Sequence, residues 1–160
     1  MSEKYDSRLD TLAHIEQVGA FLTEVRVSLL LRRVNHDKSK LEEPEKSVFD
    51  AMTPKLKGST YGSDEYKGFL AAMKPALDHH YAHNSHHPEH YPDGIRGMCL
   101  LDVIEMLADW KAATMRHADG DLAKSIEINQ KRFGYGDELK AILINTARRM
   151  GWLAPAESPT

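Results

Sequence analysis

Residues 15–30 read IEQVGAFLTEVRVSLL. Ile15, Val18, Leu22, Val25 and Leu29 recur at alternating steps of three and four, which lays apolar side chains along one stripe of an α-helix. Ser7, followed three residues later by Asp10, has the form of a capping box at its start. Gly19 is the one weak point, and the pattern runs on through LLRRVNHD to Asp37 without a proline. Outward from this stretch the same period returns. Residues 44–52 predict a short helix opened by Pro44 and ended by Thr53-Pro54. Residues 55–62, KLKGSTYG, then read as a polar loop. Ser63 with Asp64 and Glu65 opens a helix carrying Phe69, Leu70, Met73 and Leu77, which Pro75 should kink or restart. Residues 84–97 hold two prolines and two glycines and read as a loop. Helical patterns resume over 98–115, 122–132 and 138–150. Asp119-Gly120-Asp121 and Gly134 separate them, Asp137 caps the last, and Gly151 is its exit. No stretch alternates with the period of a strand. The expectation is one all-α domain of six or seven helices over residues 1–152, with 153–160 as a flexible tail.

Composition narrows the function. With 24 acidic against 21 basic residues the net charge is −3, which gives no general pull towards nucleic acid. The single cysteine, Cys99, points to a reducing compartment such as the cytoplasm. The N-terminus MSEKYDSRLD is too polar for a signal peptide, and the greasy run 25–31 is far short of a membrane span.

The chemistry gathers in residues 78–94, DHHYAHNSHHPEHYPDG, which contain six of the nine histidines. Histidine is the commonest metal-ligating side chain, and imidazole suits Zn, Fe, Mn, Ni or Cu better than Ca or Mg. The plain alternative is a solvated polar helix end. His36-Asp37 in VNHDKSK can reach one ion lying off a helix end; as an isolated pair it reads as two solvated polar side chains. Asp102, Glu105 and Asp109 share one face of an otherwise apolar helix. Burying three carboxylates without partners is costly, so they need a metal or hydrogen-bonding neighbours, unless they form an exposed face opposite the core. Lys40, one turn beyond His36, is the best placed of several cations, which also include Lys55, Lys57, Lys111, Arg116 and His117. Each of these is otherwise an ordinary solvated charge.

In chain order these pieces resemble an HD-domain metal-dependent phosphohydrolase. That superfamily collects its ligands on a helical bundle as a His, an HD pair, further His and a late Asp. The matching residues are His14 in LAHIEQV, His36-Asp37 in HDKSK, His80, the His86-His87 pair and Asp109 in EMLADW. HDKSK is also similar to the HDxGK form of the cyclic-dinucleotide phosphodiesterase branch, with Ser39 where glycine is usual. The order HDxSK, HxxxNxHH, ExxxDW resembles more closely a little-characterised HD-like family often encoded by bacteriophages, over roughly Leu12 to Ala113.

The resemblance implies an HD-like helical bundle that hydrolyses a nucleotide or nucleotide-derived phosphoester. It implies one or two divalent transition-metal ions (Mn, Fe, Co, Ni or Zn, with Mg less suited) held by His14, His36, Asp37, His80, His86, His87 and Asp109. Asp37, Lys40 and Glu105 would be catalytic, and Lys40, Lys55, Lys57, Asn84, Lys111 and Arg116 would face the substrate. A small-molecule partner is expected rather than polymeric nucleic acid or a membrane; a homo-oligomer is left open. The alternative is a non-catalytic metal-binding or ligand-binding protein on the same scaffold. One geometric condition attaches to His14. At 1.5 Å per residue, the 22 residues to His36 span about 33 Å of unbroken helix, so the two can share an ion only if the chain turns back between about Ala20 and Val27.

Overall fold

The computed structural model describes residues 5–59, 63–116 and 120–155, and for Lys57 and Tyr66 the backbone alone. Its α-helices are α1 (Arg8–Asn35), α2 (Glu45–Gly58), α3 (Asp64–Ala72), α4 (Lys74–His83), α5 (Leu100–Thr114), α6 (Leu122–Phe133) and α7 (Asp137–Arg149). Short 3-10 turns lie at Lys38–Leu41, Pro88–His90 and Gly94–Gly97. No strand occurs among the described residues, so the protein is all-α. The chain divides into two compact units, Met1–His36 and Asp37–Thr160.

The first unit is α1, a single helix of 28 residues. Gly19 does not break it, and the Thr23 hydroxyl donates to the Gly19 carbonyl across one turn at 2.9 Å. Ser7 stands at the N-cap but makes no side-chain cap bond. The expected capping box is therefore absent, and the Asp10 carboxylate accepts the Tyr5 hydroxyl instead.

In the second unit α5, α6 and α7 supply the core. Leu107, Leu122, Ile126, Tyr135, Leu143 and Ala147 form its buried centre, with Val103, Trp110, Phe133, Trp152 and Leu153 packed around them. Leu153, the first residue of the expected tail, is thus part of the packing. Asp121 caps α6 by accepting from the Ala123 and Lys124 N–H groups, and Gly134 ends it at φ 66°, a left-handed conformation that glycine adopts without steric cost. Gly136 rather than Asp137 is the N-cap of α7; Asp137 begins the helix and accepts from Gln130 Nε2 at 2.8 Å.

One further expectation holds and another changes. Pro75 does restart the chain, as the second residue of α4. Pro54 does not end α2, which runs on to Gly58 and turns much of the expected 55–62 loop into helix. A proline removes one N–H from the ladder, and the carbonyl it would have served belongs to exposed Asp50, within reach of water. The rest of that loop, 60–62, lies outside the described residues, as do His117 and Asp119. No described helix is long and apolar enough to cross a membrane.

Candidate metal centre

Three pieces of the second unit converge on one cluster. The first is Asp37, whose backbone is left-handed at φ 57° and ψ 14°. Aspartate tolerates this conformation better than most residues, and such outliers gather at functional sites. It starts the turn that carries Ser39 and Lys40, and Lys40 Nζ sits 2.6 Å from Asp37 Oδ2.

The second piece is α4, which buries Met73 (its N-cap), Ala76 and His80 along one stripe. The third is the segment after α4, where His86 and His87 follow extended Asn84. Asp102 on α5 holds this segment in place. Its carboxylate accepts from Ser85 Oγ at 2.8 Å, Tyr91 OH at 2.9 Å and the Cys99 N–H at 2.8 Å. Burial alone would raise the Asp102 carboxyl, but the bonds from Cys99, Ser85 and Tyr91 outweigh it and hold the group well below the usual carboxylate range. Tyr91 in turn lies against Gly97, where an added Cβ would come within 2.7 Å of the tyrosine Cβ. From α6, Arg132 reaches back to Glu89 at 2.6 Å.

Asp37, His80, His86 and His87 each offer one ligand atom, and the four atoms lie within 4.8 Å of one another. His80 Nε2 is 3.0 Å from His87 Nε2 and 3.3 Å from Asp37 Oδ1, and His86 Nε2 is 3.5 Å from the same oxygen. Tetrahedral coordination with bonds of about 2.0–2.1 Å requires ligand–ligand edges of about 3.3–3.4 Å. Those three separations are near such edges, and the cluster could hold a metal ion. His87 is ready for that role: burial, reinforced by neighbouring His86 and His80 and opposed by Asp109, pushes its imidazole down to about 3, so it is neutral at pH 7.

Carboxylates stand behind two of the rings. Glu105 Oε1 is 3.4 Å from His86 Nδ1. Fully buried Glu45 lies 2.9 Å from His80 Nδ1 and 2.7 Å from His79 Nδ1.

Of the residues expected from sequence, Asp37, Lys40, His80, Asn84, His86, His87 and Glu105 come together here. Asp109 is near enough for its charge to act on His87. His36 closes α1 in the first unit, its N–H donating to the Arg32 carbonyl at 2.7 Å. His14 is corrected. Because α1 is unbroken from Arg8 to Asn35, His14 lies about 33 Å along the helix from His36, and the two do not share an ion. Lys55 is exposed on α2 rather than in a loop, and Lys57 is also helical. Lys111 lies in the last turn of α5, and exposed Arg116 follows it.

The acidic face of α5 is not the solvated side. Asp102 is buried and Glu105 half-buried, while Leu100 and Ile104, apolar positions of the same helix, are exposed. The inversion has a physical reason, since the carboxylates find donors inward and Met106 and Leu107 already fill the apolar contact. Sequence reasoning missed Glu45 and the role of Ser39. Glutamate in a first helical turn reads as an ordinary dipole-complementing acid. The only signal was serine where HDxGK has glycine.

Fold and site together define an all-α protein with a buried histidine–carboxylate cluster of metal-ligand geometry. The chain belongs to the family of unknown function DUF5662, whose family model matches residues 3–150. No curated protein and no solved structure matches it.

Proposed function

We propose that the protein is a metal-dependent phosphohydrolase of HD-like type acting on a nucleotide or nucleotide-derived phosphoester. The observation that carries this reading is the meeting of Asp37, His80, His86 and His87 within 4.8 Å, with Lys40 Nζ 2.6 Å from Asp37 Oδ2. The order of these residues along the chain resembles the middle of the HD superfamily's pattern, an HD aspartate followed by further His. A bound divalent transition-metal ion supplies Lewis acidity, bringing the pKa of a water towards neutrality and offsetting charge on phosphoryl oxygens. Asp37 and the three imidazoles hold the ion. Asp37 and Lys40 keep 18% and 28% of their side-chain surface exposed, so substrate approaches from that side. There Lys40 answers phosphate charge. Glu105, 3.4 Å from His86 Nδ1, orients that ring and moves a proton. The single cysteine fits a reducing compartment.

The test is a hydrolysis screen over nucleoside mono-, di- and triphosphates and cyclic nucleotides, with Mn, Co, Ni or Zn added, on the native chain and on Asp37→Ala. Hydrolysis by the native chain alone supports the proposal. No turnover of any phosphoester, or full turnover by Asp37→Ala, sinks it. One observation favours a second reading. Four protein donors complete a tetrahedral shell, which is how structural ions are bound. In that case a chelator lowers thermal stability sharply and no phosphoester is turned over.

A further inference from the structure

We infer that Glu45 is the positioning residue of this site: it fixes the His80 ring with its proton on Nδ1, so that Nε2 presents a lone pair to the ion. The inference rests on the metal reading above and adds a residue to it. The Glu45 side chain is fully buried at the start of α2, and every polar neighbour around it can be assigned a proton. A carboxylate only accepts. Its Oε1 takes His79 Nδ1–H at 2.7 Å, and its Oε2 takes His80 Nδ1–H at 2.9 Å and the Ser39 hydroxyl at 3.0 Å.

Asn84 makes the assignment consistent. Its amide has two protons, and they go to Ser39 Oγ and to the His80 carbonyl, each at 2.8 Å. The 3.0 Å approach of Asn84 Nδ2 to His80 Nδ1 is therefore a close contact between donors, tolerated because Glu45 is there to accept. With Nδ1 committed to Glu45, His80 Nε2 is left facing Asp37 Oδ1 at 3.3 Å and His87 Nε2 at 3.0 Å. A carboxylate behind a ligating imidazole fixes its tautomer and raises its basicity; removing such a partner typically weakens metal binding about 10- to 100-fold. Ser39 and Asn84 then act through Glu45, which is a use for the serine that stands where HDxGK has glycine.

The experiment compares native protein, Glu45→Met and Glu45→Gln. Methionine keeps the volume and removes the acceptor; glutamine keeps one acceptor oxygen for His80. Long-range 1H–15N spectra of metal-free protein at pH 7.5 read the tautomer, and titration with Co2+ or Zn2+ reads the affinity. The native His80 ring should show the Nδ1–H form. In Glu45→Met the Ser39 hydroxyl, 3.2 Å from His80 Nδ1, loses its acceptor and donates to that nitrogen, the ring shifts to the Nε2–H form, and affinity falls about 10- to 100-fold. Glu45→Gln should keep the native tautomer and lose less affinity than Glu45→Met.

A native ring in the Nε2–H or doubly protonated form overturns the inference, and this needs no variant to fold. So does a Glu45→Met protein with native tautomer and affinity. Failure of the native protein to bind either ion overturns the metal reading instead, while the native spectrum still decides whether Glu45 sets the tautomer.

Discussion

Replacing Asp102 with Asn tests how the histidine-bearing segment is held. The native carboxylate sits at 2% exposure and accepts three hydrogen bonds, from Ser85, Tyr91 and the Cys99 N–H. Asparagine keeps the Oδ1 acceptor for Ser85 but turns an N–H2 towards the Cys99 N–H. That amide is left facing another donor, and the charge that strengthened all three bonds is gone. Hydrogen bonds to a charged group are worth about 1.5–3 kcal/mol each, and a buried donor left unsatisfied costs about 1–3 kcal/mol. Allowing for non-additivity and for rotation of the Tyr91 hydroxyl, the loss should be about 2–4 kcal/mol at pH 7. At roughly 3 °C per kcal/mol for a chain of this size, Tm falls by about 6–12 °C.

The pH dependence distinguishes a lost charge from a lost shape. The folded Asp102 pKa lies below the unfolded value of about 3.9, so its contribution is fully present above that value. It is lost as the pH falls towards the folded pKa, at about 1.4 kcal/mol per unit. Asparagine resembles the protonated acid. The gap between native and Asp102→Asn should therefore be constant from pH 7 to 5 and about 1 kcal/mol smaller at pH 3. Urea unfolding followed by circular dichroism measures both. Equal stability at pH 7, or a gap that does not shrink in acid, would mean that the Asp102 charge does not hold this segment.

Two packing predictions follow. Leu143→Ala empties a position at 2% exposure in the α5–α7 core and should cost about 2–5 kcal/mol in urea unfolding, with metal affinity unchanged. An altered metal affinity would mean that α7 does more than support the site. Gly97→Ala places a methyl 2.7 Å from Tyr91 Cβ, so it should displace Tyr91 from Asp102 and destabilise by about 1–3 kcal/mol. In an Asp102→Asn background the same change should cost less, because the bond it disturbs is already weakened.

The helices were legible because each carries its own period and its own punctuation. Ile15 to Leu29 announced α1, Pro75 restarted α4, and Gly134 ended α6. What failed was local chemistry decided by tertiary context. Pro54 was tolerated inside α2, and on α5 the carboxylates turned inward while Leu100 and Ile104 faced out. Of the site, the residues with distinctive chemistry were legible: Asp37, His80 and the His86-His87 pair. His14 fit the motif order but not the geometry, because nothing in 20–27 turns the helix back. Glu45 was invisible because a glutamate opening a helix looks the same whether it faces water or two imidazoles.

Asp37, His80, His86 and His87 are proposed to hold one metal ion. The most direct measurement is the metal bound by purified protein dialysed against Zn2+, Mn2+ or Co2+, read by elemental analysis and compared with Asp37→Ala. Roughly one ion per native chain, with most of it lost in a variant of unchanged helicity, is the predicted result. A native chain that binds none of the three, or an Asp37→Ala chain that binds as much, contradicts it.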